Sequence, residues 1–143
     1  MKTINQILKV KGNQVYVTTP ETCVIDAVKE MAKMKCGALI VLQGNDIKGV
    51  ITEQDFTRRV LLNDLDTDKT KVGEVMSSEV SLIEPQNTVT EGMAIMTEKR
   101  IRHLPVIDSN GSLIGIISIG DLVKEVIAEQ ETLIGQLEQY IHS

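Results

Sequence analysis

Apolar residues along this chain recur at two different intervals, and the same succession of intervals occurs twice. Val24, Ala27, Val28 and Met31 fall at i, i+3, i+4 and i+7, as do Val89, Gly92, Met93 and Met96, so each set lays one stripe along a helix. Before each helix a short β-prone run ends at a proline, Val15 to Pro20 and then Val80 to Pro85. After each helix come two apolar runs separated by turn residues. These predict hairpins from Ala38–Leu42 and Ile47–Ile51 around Gly44-Asn45, and from Leu104–Ile107 and Leu113–Ile117 around Asn110-Gly111. A second helix leaves each hairpin, marked by Phe56, Val60 and Leu61 in one case and by Leu122, Val123, Val126 and Ile127 in the other. The latter continues through Leu133, Ile134, Leu137 and Ile141, with at most a break at Gly135.

The chain is therefore a tandem repeat, which fixes the architecture before any residue is given a role. Asp46 to Asp55 aligns without gaps on Ser112 to Asp121, at the constant offset of 66 that carries Gly49 onto Gly115. Upstream, Pro20, Val24, Asp26 and Met31 align on Pro85, Val89, Glu91 and Met96 at an offset of 65, so one residue has been inserted, placed by this reading near Arg102. Thr88 and Glu91 have the spacing of a capping box. The stretch Leu62 to Gly73, rich in Asp, Thr and Lys, reads as connecting sequence. The organisation expected is a first repeat at 8–65, a linker at 66–79, a second repeat at 80–130 and a helical extension at 131–143. The fold class is α/β, two β-α-β-β-α repeats packed pseudo-symmetrically into one module, because one repeat of about 50 residues buries too little surface to stand alone.

Composition narrows the possible functions. Of the 143 residues 42% are hydrophobic, enough for a core, but only 2% are aromatic, so the core is aliphatic and methionine-rich and no base-stacking platform for nucleic acid is expected. A net charge of −5 also opposes a phosphate backbone as the main partner. No apolar run approaches the ~20 residues of a membrane-spanning helix, and the opening Met-Lys-Thr-Ile-Asn-Gln is not a signal segment, so a cytosolic protein with no membrane partner is expected. Cys23 and Cys36 are too far apart for a Cys-x-x-Cys pair and read as small buried hydrophobes. Two histidines, no nucleophile elbow and no phosphate-binding Gly-x-x-x-x-Gly-Lys-Ser/Thr loop speak against an enzyme, a metal site or a catalytic cofactor.

The most faithfully repeated feature is Gly, two apolar residues, Thr or Ser, two variable residues and Asp: Gly49 to Asp55 and Gly115 to Asp121. A hydroxyl three residues before an acid is by itself the signature of a helix N-cap and needs no ligand. Its place between a strand end and a helix start also puts free amides where an anion would be welcome, and the glycine would let a flat group approach the backbone.

These two motifs, with Arg102-His103-Leu104-Pro105-Val106 in the second copy and Gly37-Ala38-Leu39-Ile40-Val41 in the first, resemble a tandem pair of cystathionine-β-synthase (CBS) domains, a Bateman module, over about Val15 to Ile127. The resemblance implies adenosine-containing ligands such as AMP, ATP or NAD(H), bound in clefts between the copies to regulate a separate protein. It implies that Asp55 and Asp121 accept hydrogen bonds from ribose hydroxyls, that Thr52 and Ser118 bond the ribose or its phosphate, and that Thr19 joins the contacts. It further implies that Gly37, Ala38 and Leu39, and Arg102, His103, Leu104 and Pro105, meet the adenine through their backbone. Leu39 stands where the second copy has Pro105. Phosphate-side cations would be Arg58, three residues after Asp55, Lys124 in the equivalent position, and Arg102; Arg59, Lys99 and Arg100 read as solvated charge. The alternative is a structural or interaction module with non-functional nucleotide sites. The apolar residues of the last helix, exposed on a lone module, predict a homodimer.

Overall fold

The computed structural model describes residues 2–142. The chain divides into two compact units: residues 14–81 form one, and residues 1–13 together with 82–143 form the other.

In the unit of residues 14–81, strand β1 (Val17–Thr18) runs parallel to β2 (Ala38–Gln43), which pairs antiparallel with β3 (Asp46–Thr52), in the order β1-β2-β3. Leu39, Ile40 and Val41 of β2 are all fully buried, the continuous apolar run of a strand covered on both faces. Helix α2 (Val24–Met34) buries Val24, Ala27 and Met31 on the stripe predicted for it and stops at Lys35, whose φ of 54° turns the chain into β2. The helical turn α3 (Glu53–Asp55) leaves β3 and passes into a π-helical turn, Phe56–Leu61. The whole stretch expected to be linker, 66–79, belongs to this unit: helix α4 (Val72–Val75) buries Val72 and Val75 in its core, and Ser77 pairs antiparallel with Val50.

The other unit repeats the plan with one addition. Helix α5 (Val89–Lys99) starts at the expected box, Thr88 Oγ1 accepting from the Glu91 amide and Glu91 accepting from the Thr88 amide. Strands β4 (His103–Ile107) and β5 (Leu113–Ser118) form the hairpin, and the β-prone run before α5 contributes a single parallel bridge, Ile83 to Val106. The last helix, α6 (Ile119–His142), runs unbroken through Gly135. The addition is α1 (Ile4–Lys11), for which the periodicity had predicted no element. Thr3 and Gln6 cap it, and its Ile4, Ile7 and Leu8 are buried with Ile83, Val89, Leu104, Ile117 and Leu122. Among the described residues no helix is long and apolar enough to cross a membrane.

Strand register relocates the inserted residue. Leu39 faces Ile51 as Leu104 faces Ile117, and Ile40 faces Val50 as Pro105 faces Ile116. The offset is thus still 65 across β2 and β4 and becomes 66 only after the hairpin turn, so the extra residue lies in the second turn and not near Arg102. The counterpart of Pro105 is accordingly Ile40, not Leu39.

Candidate functional site

Both repeated motifs fold into the same helix start. The Thr52 amide donates to Asp55 Oδ2 at 3.0 Å while the Asp55 amide donates to Thr52 Oγ1 at 3.1 Å. The Ser118 amide donates to Asp121 Oδ2 at 2.8 Å, and the Asp121 amide to Ser118 Oγ at 3.2 Å. The capping role expected of these residues is therefore real, and it holds each carboxylate in a fixed orientation at the strand end.

Each acid has further partners, and here the copies differ. Asp55 Oδ1 accepts a 3.3 Å bond from Ser77 Oγ and lies 3.8 Å from Arg59 Nε. Asp121 Oδ2 accepts from Lys11 Nζ at 2.6 Å, and the same ammonium donates to the Ile116 carbonyl at 2.8 Å. The pair is partly sheltered, with side-chain exposures of 31% for Lys11 and 19% for Asp121. Burial pushes the Asp121 carboxyl up, but the Lys11 hydrogen bond, the Ser118 amide and the Lys11 charge together outweigh it and hold the group below the usual aspartate range.

The stretches expected to meet a base lie beside these caps. Ala38 pairs with Thr52 and His103 with Ser118 in the hairpin registers. The Gly37 carbonyl accepts from the Glu53 amide at 3.1 Å, and the Arg102 carbonyl from the Ile119 amide at 2.8 Å, tying each stretch to its helix start. Leu39 and Leu104 are fully buried core residues and Ala38 and Pro105 are also buried, so these positions have only backbone to offer a ligand. Cys36, at the start of the first stretch, is half-buried rather than buried, and desolvation pushes its thiol up despite the backbone bond at Ala38. Cys23 is half-buried too.

Among the cations the structure changes the assignment. Arg58, Lys124 and Arg102 are exposed. Arg59, read from sequence as solvated, is exposed as well, but it also donates through Nη1 to the Val75 and Met76 carbonyls at 3.2 and 2.9 Å while its Nε faces Asp55. In this π-helical segment, where the Leu62 amide bonds the Thr57 carbonyl, it is the fourth residue after Asp55 and not the third that faces the carboxylate. Thr19 is exposed, its hydroxyl 2.9 Å from that of Thr22.

The space at the motif glycines is also filled from within. A Cβ on Gly49 would lie 2.6 Å from the Ser77 carbonyl oxygen and 2.8 Å from Met76 Sδ; one on Gly115 would lie 2.8 Å from Leu8 Cδ2. The close approach expected for a flat ligand is made in each copy by the protein's own chain. Arg59 could have been found from its i,i+4 spacing to Asp55, but Ser77 and Lys11 reach their acids across 22 and 110 residues, and no local signal announces them.

A duplicated α/β unit, each copy presenting a capped aspartate at the junction of hairpin and helix, defines a two-repeat α/β module. The family model for the CBS domain matches residues 10–62 and 72–128, and the chain belongs to that family, whose members are generally regulatory modules. It is 38% identical to the mitochondrial CBS domain-containing protein CBSX3 of Arabidopsis thaliana, covering 97% of this chain and 71% of the plant protein. A protein with CBS domains from Burkholderia ambifaria superposes with a TM-score of 0.86 at 48% identity, over 90% of this chain and 96% of that one. A hexameric CBS-CP12 protein from bloom-forming cyanobacteria superposes with a TM-score of 0.76 at 29% identity, over 85% of this chain and 66% of that one.

Proposed function

We propose that the protein is a non-catalytic sensor whose two capped aspartates bind the ribose of an adenine nucleotide, AMP, ATP or NAD(H), and that occupancy is read by a separate protein. The observation that carries this reading is the duplication of a carboxylate whose capping bond leaves acceptor capacity over. Asp55 Oδ1 takes one 3.3 Å hydroxyl bond, and the bond from the Ser118 amide uses one oxygen of Asp121. A carboxylate, with two acceptor oxygens and no donor, suits a vicinal diol, which brings two donors. Beside each acid lie strand ends offering backbone groups, Gly37 to Leu39 and Arg102 to Pro105, with Thr52 and Ser118 three residues before the acids, Thr19 as a further contact from β1's end of the chain, and Arg58, Lys124 and Arg102 as exposed cations for phosphate.

Family membership supports the same reading. A ligand acts on such a module only to the extent that it binds one arrangement of the chain better than another. Self-association is part of the proposal: α6 exposes Ile127, Leu133, Ile134, Leu137 and Ile141, an apolar stripe that a second copy would cover, and a CBS-CP12 relative is itself hexameric. We take the assembly to be a homodimer.

The alternative, a structural module with non-functional sites, is favoured by the glycine spaces being occupied from within and by both hydroxyls being committed to caps. Calorimetry with AMP, ATP and NADH separates the two. Binding that disappears in the Asp55→Ala, Asp121→Ala double variant is the expected result; affinity untouched by the double change would reduce both loops to helix starts.

A further inference from the structure

The two acids meet their ligand under different conditions, because only Asp121 is held by an ammonium. Lys11 closes the last turn of α1, whose Ile4, Ile7 and Leu8 anchor it in the core, so the helix itself is fixed and only the lysine side chain is free to swing. Its Nζ sits on Asp121 Oδ2 at 2.6 Å and on the Ile116 carbonyl at 2.8 Å, so a diol that takes both oxygens of that carboxylate must displace the ammonium. In the other unit the corresponding acid is met by a neutral hydroxyl at 3.3 Å and a guanidinium nitrogen at 3.8 Å, both weaker competitors.

Given the reading of Asp121 as the diol acceptor, we infer that Lys11 is a specificity-determining residue of the second loop and makes that loop select nucleotides over nucleosides. A ribose that takes Asp121 deprives the ammonium of its anion. A neutral nucleoside offers nothing in return, so a short charge-assisted bond is lost without replacement. A nucleotide supplies a phosphate to which the same flexible side chain can turn, so one charge-assisted bond is exchanged for another. Lys11 thus taxes every ligand and refunds the tax only to anionic ones. The first loop carries no such test, so it discriminates less steeply between adenosine and AMP.

Calorimetric titration of adenosine and of AMP into the Asp55→Ala protein, which silences the first loop, and into the same protein carrying Lys11→Met or Lys11→Arg, examines this directly. The expected result is a preference for AMP over adenosine that shrinks roughly tenfold with Lys11→Met, adenosine tightening as AMP weakens, and that survives Lys11→Arg. A preference unchanged by Lys11→Met overturns the inference, and if the melting temperature falls at the same time the ion pair is merely structural. Absence of binding by either ligand to all three proteins overturns the reading of Asp121 itself, and a preference that persists when Asp121→Ala is added does so as well.

Discussion

Gly49 and Gly115 occupy equivalent places in the two copies, yet a methyl group added to each meets a different obstacle. At Gly49 the obstacle is the backbone carbonyl of Ser77, itself fixed by paired bonds with Val50, whereas at Gly115 it is the flexible end of Leu8. Gly49→Ala should therefore cost about 1–3 kcal/mol and Gly115→Ala less, as read from urea denaturation. The Lys11–Asp121 pair gives a pH signature of defined sign. Because the folded Asp121 carboxyl lies below its ordinary value of about 3.9, its contribution is fully present above that pH and is lost as pH falls through the folded value. Below about pH 4 the wild type should lose stability more steeply than Lys11→Met, and acid-titrated thermal melts that run parallel would contradict this. At this scale the local residues were legible in the sequence. Thr52 with Asp55, Ser118 with Asp121 and Thr88 with Glu91 lie three apart, and a cap is a local interaction. Arg59, four residues after Asp55, is as legible by spacing as Arg58, whereas Lys11 and Ser77 are not, because nothing near them in sequence indicates what they touch.

Among the elements, those with a clear period were found and those without it were not. Helices α2 and α5 and both hairpins follow their apolar spacing to within a few residues. Helix α1 is a two-turn segment whose Ile4, Ile7 and Leu8 give too short a stripe to be told from chance, and the inserted residue lies in a turn, where no period exists to locate it. Helix α1 is nonetheless structural. Leu8→Ala removes a side chain that is 2% exposed and leaves Gly115 facing a void, so it should cost about 2–5 kcal/mol. Hydrogen exchange should show the loss in β4, β5 and α5, the elements that share its core; a loss confined to residues 14–81 would refute the assignment of α1.

For the whole molecule, the proposed homodimer rests on α6, which spans 24 residues, roughly 36 Å. Its described buried residue is Leu122, near its start, while Leu133, Ile134, Leu137 and Ile141 are 53–74% exposed. Sedimentation equilibrium at micromolar concentration should give twice the chain mass, reverting to one chain when the protein is truncated after Glu129. A chain that sediments as a monomer before truncation would remove the assembly from the proposal.

Because residues 1–13 complete the core built by residues 82–143, the order of synthesis and the order of burial run against each other. On a ribosome moving at about 5–20 residues per second, Ile4, Ile7 and Leu8 emerge on the order of ten seconds before Leu104, Ile117 and Leu122 arrive to cover them. Throughout that interval the nascent chain carries a greasy hook that the core of residues 14–81 does not use. Chaperone capture of the nascent chain should accordingly concentrate on this early segment and lapse once Leu122 at the start of α6 is released.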